Sequence, residues 1–325
     1  MKTIRWGIIG CGNVTEMKSG PAFNKVPDST LHAVMRRDEN RLKDYAARHQ
    51  VLLSFTDASA LIHHPEIDAV YIATPPHVHE QYAIEALRAN KFVYVEKPMA
   101  TTVSACLNMQ KVADELNGKL VIAHYRRELP LFLKVKSLLA ENRIGVVHKV
   151  QLIMRKNKRD KNYYVNNWRI NKEMAGAGFF YDLAPHQLDL VFYFFGPAQY
   201  YKGEATNKSG LYEVEDTVHG NIQLQNGVQF EGEWSFENNN IEEIDSFTIT
   251  GDAGSISFPV FGHDITIVNQ GETQFLQFDP PMHNQQNLIE KVVAYFLDQG
   301  ENPCSSKDAI ESMRVMESFV YGNKL

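Results

Sequence analysis

A short apolar strand that runs into two closely spaced glycines most restricts how this chain can fold. Trp6-Gly7-Ile8-Ile9 is followed by Gly10-Cys11-Gly12-Asn13-Val14-Thr15, the pattern G-x-G-x-x-T. In a dinucleotide-binding turn the first glycine permits the bend, and the second lets a pyrophosphate approach the backbone at the start of a helix. We therefore predict a phosphate site at Gly10, Gly12, Asn13 and Val14. Thr15 in the third glycine position predicts a slightly wider contact between strand and helix.

Strand-like and helix-like segments alternate from residue 4 to residue 123, which predicts a doubly wound parallel sheet. After residue 146 the chain shows alternating strands joined by turn signals such as Asn226-Gly227, which predict an antiparallel sheet. The predicted fold class is α/β followed by α+β, with a Rossmann domain over residues 1–124 and an α+β domain over residues 125–325. The later strands are predicted at 146–155, 214–224, 227–236, 244–250, 255–260, 264–269 and 273–278, with a polar loop at 203–213 and helices at 286–299 and 306–321.

Charge and cysteine content exclude several classes of protein. The net charge of −6 argues against a nucleic-acid-binding or membrane-binding surface. No stretch approaches ~18 consecutive apolar residues, and the start of the sequence has no signal-peptide core, so we expect neither a membrane span nor a secretory leader. Cys11, Cys106 and Cys304 are far apart and odd in number, which favours reduced thiols in a cytoplasmic protein without a metal cluster.

The stretch Phe92-Val93-Tyr94-Val95-Glu96-Lys97-Pro98 combines a buried strand with a charged terminus. Pro98 has no N–H and restricts Lys97 to extended conformations, so the strand must stop there. Lys97 is then directed to the sheet edge at which open α/β folds bind their ligands. The alternative is an ordinary surface lysine at a turn. A cis Lys97–Pro98 bond is also permitted by the sequence.

The residues after the second predicted strand, Leu31–Met35, bear on which dinucleotide is bound. An acid is expected there, about 20 residues past the glycines, to hold the ribose 2′-hydroxyl of NAD. The chain has Arg36 and Arg37 instead, and guanidinium groups suit the 2′-phosphate of NADP. We therefore favour NADP, with NAD possible. The alternative is that the arginines are a solvated charge run and that Asp38 turns back to the ribose.

A proline-rich loop, Thr74-Pro75-Pro76-His77-Val78-His79, follows the third long strand at the same predicted edge. The pattern H-x-H could bind a metal, but a third ligand is missing nearby, and we predict no metal site. Thr74, Pro75 and His79 are predicted to line the cofactor site, although His79 could instead cap the helix at 80–90.

One later helix carries a polar stripe on an apolar background. Asp182, His186 and Asp189 lie at i, i+4 and i+7, so they share one helical face. The stripe could be a structural hydrogen-bonded set, a metal site, or a catalytic histidine with an orienting carboxylate. We favour the last, because histidine titrates near neutrality and a carboxylate one turn away can fix its tautomer. Pro185 should kink this helix.

These motifs, in this order, resemble the Gfo/Idh/MocA family of NAD(P)-dependent oxidoreductases. The resemblance rests on Gly7–Gly12, Ala73–His79, Glu96-Lys97-Pro98, Arg127-Glu128-Leu129-Pro130, Trp168-Arg169 and Asp182-x-x-x-His186. It implies a Rossmann domain and an open-faced, mostly antiparallel sheet that often forms a dimer or tetramer interface. It also implies that Lys97, Asp182 and His186 flank the nicotinamide. Two departures are Gly176-Ala177-Gly178 in place of Gly-Gly before the helix, and Arg36-Arg37 in place of an acid.

The resulting prediction is a cytoplasmic, NADP-preferring dehydrogenase or reductase acting on a sugar, polyol or related hydroxy or keto compound. Lys97, Asp182 and His186 form its catalytic set and also contact substrate; whether Lys97 or His186 is the principal acid/base stays open. Residues of second rank are Glu96, Trp168 and Arg169 at the cofactor, and Tyr125 and Arg127 at the substrate. A dinucleotide-binding sensor without turnover and a structural oligomer scaffold are the rival interpretations.

Overall fold

The computed structural model describes residues 3–165 and 167–322. They form two compact units, one containing residues up to 126 together with 281–310, the other containing residues 127–280 together with those from 311 onward. The division at residue 124 therefore stays a prediction. The outer ends of the two predicted domains, Met1 and Lys2 in one and residues 323–325 in the other, lie outside the described residues.

The described residues form the following strands and helices, given in chain order. The strands are β1 (Ile4–Ile9), β2 (Ser29–Met35), β3 (Leu53–Phe55), β4 (Ala69–Ile72), β5 (Phe92–Val95), β6 (Leu120–Ile122), β7 (Val147–Asn157), β8 (Ala198–Thr206), β9 (Thr217–Leu224), β10 (Gln229–Asn238), β11 (Ile244–Gly251), β12 (Gly254–Phe258), β13 (Asp264–Asn269) and β14 (Glu272–Gln277). The α-helices are α1 (Asn13–Met17), α2 (Glu39–Arg48), α3 (Ala58–Ile62), α4 (His79–Arg88), α5 (Val103–Glu115), α6 (Pro130–Ala140), α7 (Lys161–Tyr164), α8 (Lys172–Ala175), α9 (Gly178–Phe195), α10 (Gln286–Phe296) and α11 (Ser306–Tyr321). Short 3-10 turns occur at Gly20–Asn24, Pro76–Val78, Tyr125–Glu128 and Trp168–Ile170.

The first unit is built on a six-stranded sheet in the order β3-β2-β1-β4-β5-β6, and all its strands are parallel. This is the strand order of the dinucleotide-binding fold. Every residue of β4 and β6 is buried, as expected of parallel strands covered on both faces. The predicted doubly wound parallel sheet is confirmed.

The late segment 281–310 completes the core of this first unit. Phe296, at the end of α10, places its ring centroid 5.6 Å from that of Trp6 and 4.9 Å from that of Phe92. Trp6 and Phe296 are buried, and Trp6 also contacts Phe23 at 4.6 Å. Aromatic contacts of this kind supply much of the burial energy of a core, so α10 is an integral part of this unit.

The second unit is built on an eight-stranded sheet in the order β14-β13-β12-β11-β7-β10-β9-β8. Adjacent strands are antiparallel except for β7 and β10, which run parallel, so the mostly antiparallel sheet is confirmed. The predicted loop at 203–213 is wrong over residues 203–206, which end strand β8. This is an edge strand, with residues alternately half-buried and exposed, so it lacks the apolar alternation by which strands are recognised.

One face of the second sheet is covered by helix. The ring of Phe319, from α11, lies against Gly220 and Gly203, where an added Cβ would overlap it. The indole Nε1 of Trp234 donates a hydrogen bond of 2.6 Å to Gln187 Oε1 on α9. Helix α9 is continuous through Pro185, and its residues from Ala184 to Val191 are buried. The helix that carries Asp182 and His186 is therefore anchored over most of its length.

Among the described residues, none of the helices combines the length and apolar character needed to cross a membrane.

Candidate active site

The glycine turn lies at the carboxyl end of β1 and is fixed to its neighbours on both sides. Gly10 and Cys11 each donate a backbone hydrogen bond to the carbonyl of Met35, at 3.0 and 3.2 Å. Gly10 has φ +91°, and an added Cβ would lie 3.0 Å from the backbone carbon of Ala73. Only glycine fits this position without strain.

Gly12 has a different environment. Its φ of −138° is accessible to any residue, and among the described residues an added Cβ would meet only the carbonyl oxygen of Gly10, at 3.9 Å. The space over Gly12 is therefore open, as a dinucleotide phosphate would require. Asn13 and Val14 begin α1, and the buried Thr15 hydroxyl donates 2.9 Å to the carbonyl of Gly12.

The residues after β2 take three different roles. Arg36 Nη1 donates a hydrogen bond of 2.8 Å to the carbonyl of Cys11, so this guanidinium braces the glycine turn. Arg37 is exposed, and its charge, after the larger effect of burial, lowers the pKa of His77. Asp38 caps α2 by accepting 3.1 Å from the backbone N–H of Arg41. Of the two predicted 2′-phosphate ligands, Arg37 is the one directed to solvent.

His79 ties two loops of this edge together. It is completely buried, with Nε2 2.8 Å from the carbonyl of Thr74 and Nδ1 3.0 Å from the carbonyl of Pro98. Burial lowers the pKa of His79 to about 4, and the hydrogen bonds to backbone carbonyls oppose this shift. The neutral imidazole has one N–H, so it donates a hydrogen bond to one of these two carbonyls and lies beside the other. Direct cofactor contact by Thr74, Pro75 and His79 stays a prediction, although the buried Thr74 hydroxyl lacks a hydrogen-bond partner among the described residues.

Glu96 is the centre of a hydrogen-bonded group that sequence reasoning did not find. Its Oε1 accepts from the hydroxyl of Tyr71 and from Nε2 of Gln285, each at 2.5 Å. Its Oε2 accepts 3.2 Å from the backbone N–H of Lys97, whose bond to Pro98 is cis. Burial, followed by the nearby Glu96 carboxylate, raises the pKa of Tyr71 well above its usual value. Nothing local in the sequence marks Gln285, which is 189 residues from Glu96.

In the second unit, three predicted residues meet at the start of α9. Nε of Arg169 donates 2.7 Å to Oδ2 of Asp182, and its guanidinium carbon lies 4.6 Å from the centroid of the Trp168 ring. The Arg169 and Asp182 side chains are partly exposed, at 33% and 23%. This cluster can offer an aromatic face, a guanidinium and a carboxylate to a ligand.

His186 lies one turn further along α9 and is buried, at 4% exposure. Its ring meets that of Phe261 edge to face, with centroids 5.8 Å apart. Phe261 is positioned in turn by Asp245, whose Oδ2 accepts 2.7 Å from its backbone N–H. The imidazole thus packs against one aromatic ring whose backbone is fixed. Its orientation by Asp182 stays a prediction.

Asp189, the third member of the polar stripe, forms a buried ion pair. Its carboxylate accepts from Nη2 of Arg127 at 2.6 Å and from Nε at 2.9 Å, and the side chains are 2% and 7% exposed. This pair anchors α9, which is the structural interpretation given above for the polar stripe. Tyr125 is also buried, with the Arg126 guanidinium 5.5 Å from its ring centroid. Substrate contact by Tyr125 and Arg127 stays a prediction.

Comparisons with known proteins match the whole of this architecture. Residues 4–124 match the model of an oxidoreductase family with an NAD-binding Rossmann fold, and residues 132–257 match the GFO/IDH/MocA C-terminal domain. Oxidoreductase P35 of Formosa agariphila is 44% identical over 97% of this chain and 98% of its own length. The 1,5-anhydro-D-fructose reductase of Ensifer adhaerens is 27% identical over 95% of this chain and 93% of its own length. A crystal structure of an oxidoreductase from Thermotoga maritima, 23% identical, superposes with a TM-score of 0.86 over 98% of this chain and 95% of that one. Both halves of the fold and the glycine turn are accounted for, and the chain belongs to the GFO/IDH/MocA oxidoreductase family.

Proposed function

We propose that this protein is an NADP-preferring dehydrogenase or reductase that acts on a sugar, a polyol or a related hydroxy or keto compound. The observation that carries the proposal is the fixed position of Lys97 at the sheet edge that also bears the glycine turn. Its backbone N–H donates to Glu96, and the carbonyl of the next residue lies 3.0 Å from Nδ1 of the buried His79. The full-length relationship to a protein named as a reductase of a sugar derivative supports the substrate class.

The residues of the first unit fit a dinucleotide. The open space over Gly12 suits a pyrophosphate, and the buried Thr74 hydroxyl, without a partner among the described residues, can serve the same ligand. Arg37 supports NADP, because an exposed guanidinium can take the 2′-phosphate in a bidentate, charge-assisted contact. Asp38, the acid that NAD would use, already caps a helix.

The chemistry divides between the cofactor and the chain. A bound nicotinamide dinucleotide supplies or accepts the hydride. In this proposal His186 takes the hydroxyl proton during oxidation and returns it during reduction. Asp182, held by Arg169, orients His186, and Lys97 donates a hydrogen bond to the same oxygen and stabilises its developing negative charge. The imidazole is buried, and the Phe261 ring packs against it edge to face.

Turnover by variants tests this assignment. Wild type is first assayed with NADPH and 1,5-anhydro-D-fructose, and with NADP⁺ and D-glucose, D-galactose or myo-inositol. Lys97→Ala and His186→Ala should each lower kcat by at least ~10²-fold on the best compound, with the Kd for NADPH little changed. Lys134→Ala, which removes a half-buried lysine on α6, is the control for general loss of charge. Full turnover by both variants refutes the assignment, and NADPH binding without turnover of any compound favours a sensor.

We also propose a cytoplasmic homodimer or homotetramer that associates through the uncovered face of the second sheet. The three cysteines are buried and odd in number, which supports a reducing compartment. Side chains on the uncovered face include Ile153 and Thr248, on neighbouring strands. Sedimentation equilibrium should give a dimer or tetramer for wild type and a smaller species for Ile153→Asp. A monomeric wild type would refute the oligomer.

A further inference from the structure

We propose that Gln285 is a positioning residue for Lys97, acting through Glu96. This inference rests on the proposed function, because it explains how the chain fixes the lysine assigned there to the reacting oxygen. Gln285 is completely buried, comes from the late segment 281–310, and belongs to the same unit as Lys97.

Backbone hydrogen bonds fix the position of Gln285 independently of its side chain. It stands immediately before α10, whose residue Ile289 donates 2.8 Å to the Gln285 carbonyl. Its own backbone N–H donates 3.1 Å to the carbonyl of Lys18, and the neighbouring His283 Nδ1 lies 2.6 Å from the carbonyl of Met17. The start of α10 is therefore attached to the segment that follows the glycine turn.

The side-chain amide of Gln285 has one allowed orientation. Nε2 faces Glu96 Oε1 at 2.5 Å, and Oε1 accepts 2.8 Å from the hydroxyl of Tyr94. The reverse orientation would set an amide oxygen against a carboxylate oxygen, which are both acceptors. The amide is thus a donor to Glu96, and Tyr94 fixes it from the other side.

The group around Glu96 is matched to an ionised carboxylate. Its partners are the Tyr71 hydroxyl, the Gln285 amide and the Lys97 backbone N–H, and each donates to it. An ionised carboxylate can accept all three, and charge-assisted hydrogen bonds are stronger than neutral ones. Tyr71 and Gln285 hold Oε1, which leaves Oε2 directed at the Lys97 N–H. Removing the Gln285 amide would let the carboxylate turn and release that N–H.

The first readout does not need a substrate. In ¹⁵N-labelled protein, amide exchange of Lys97 should be at least ~10-fold faster in Gln285→Met, while the amides of β5 keep wild-type protection. Asn302→Ala is the matched control, because it removes an amide of the same segment that hydrogen-bonds the backbone of Leu120 and Cys304. It should leave the Lys97 amide unchanged. Exchange that is unchanged at Lys97 in Gln285→Met, or accelerated throughout β5, overturns the proposal.

The second readout uses the compound that wild type turns over fastest. Gln285→Met should lower kcat by about 10- to 10²-fold, as expected of a displaced catalytic group, with the Kd for NADPH within about 2-fold of wild type. The double variant with Lys97→Ala should be no slower than Lys97→Ala alone, because both changes act on one group. Additive losses in the double variant, or a fall in NADPH affinity that accounts for the loss, overturn the proposal.

The conservative variant Gln285→Glu supplies a pH signature. Two ionised carboxylates at hydrogen-bond distance repel each other, so the introduced acid keeps its proton, and can donate it to Glu96, up to a higher pH than an isolated glutamic acid would. Its kcat should approach that of wild type at low pH and fall as pH rises, a step absent from Gln285→Met. A pH profile of kcat that parallels that of wild type refutes the role of Gln285 as a hydrogen-bond donor to Glu96.

Two further comparisons separate the possible failures. If Gln285→Met does not fold, Tyr71→Phe removes one donor from Glu96 with little change in volume and should accelerate the Lys97 amide in the same direction. Full turnover by Lys97→Ala would refute the catalytic role of the lysine, whereas the amide exchange data would still decide whether Gln285 positions it.

Discussion

Replacing Gly10 and Gly12 by alanine separates what the fold requires of the glycine turn from what a ligand requires of it. Gly10 has positive φ, and its added Cβ would lie 2.8 Å from Thr74 Cγ2 and 3.0 Å from the backbone of Ala73. Gly12 has an extended backbone and open space. The same methyl group should therefore destabilise the protein at one position and obstruct the cofactor at the other.

The two variants should differ in their free energies of unfolding and in their affinities for NADPH. For Gly10→Ala, a strained backbone costs about 1–3 kcal/mol, and overlap with Ala73 and Thr74, just after β4, adds a similar amount, so we expect the free energy of unfolding to fall by about 2–6 kcal/mol. For Gly12→Ala, the allowed φ predicts no loss, and a gain of up to about 1 kcal/mol is expected from the restricted unfolded chain. If a phosphate contacts Gly12, its Kd for NADPH should rise at least ~10-fold, or ~1.4 kcal/mol.

Two measurements on each variant test this reasoning. Chemical unfolding without cofactor gives the stability, and NADPH fluorescence titration gives the affinity under conditions in which each variant is folded. A Gly12→Ala protein that binds NADPH as tightly as wild type would place the phosphate elsewhere. A Gly10→Ala protein as stable as wild type would show that the strain inferred from φ and the close backbone is absent.

Three further predictions concern the cofactor, a buried titration and the second sheet. Arg37→Asp should lower the ratio of kcat/KM for NADPH to kcat/KM for NADH at least ~10-fold. Arg41→Asp makes the same charge change nearby and should leave this ratio unchanged. Equal ratios in the two variants would contradict the role of Arg37. The pKa of His79 in the folded protein, about 4, lies below its value in the unfolded chain. The contribution of His79 to stability is therefore complete above pH ~6.5 and is lost as pH falls through 4. The ¹³Cε1 NMR shift of His79 should accordingly not titrate near pH ~6.5. Gly220→Ala should lower the free energy of unfolding by about 1–3 kcal/mol in thermal unfolding, because the added Cβ would overlap the Phe319 ring. Adding Phe319→Leu should recover part of this loss. A Gly220→Ala protein as stable as wild type would contradict the described contact.

Apolar periodicity predicted most of the fold for a physical reason. Parallel strands covered on both faces are continuous apolar runs, as in β5, and these are recognisable without knowledge of their neighbours. The edge strand β8 was missed because only one neighbour and one covered face constrain its residues. The parallel pairing of β7 with β10 could not be predicted, because these strands are far apart in sequence and nothing local fixes their direction.

The site was predictable to the extent that its residues lie in short motifs. Gly10, Gly12 and Lys97 stand beside strand ends, and strand ends can be identified from sequence. The supporting residues are different. Gln285 reaches Glu96 across 189 residues, and the partner of Asp189 is an arginine 62 residues away that the sequence analysis had assigned to substrate. Hydrogen bonds between distant positions leave no pattern in a single sequence.

The place of α10 in the first unit has a consequence for how the protein is made. Residues up to 126 emerge from the ribosome first, yet the ring that covers Trp6 and Phe92 belongs to Phe296. At about 5–20 residues per second, the roughly 170 residues from 126 to 296 delay its arrival by about 9–34 s. During translation, residues up to 126 therefore wait with an apolar face uncovered, and the first unit is completed only after most of the second unit has been made.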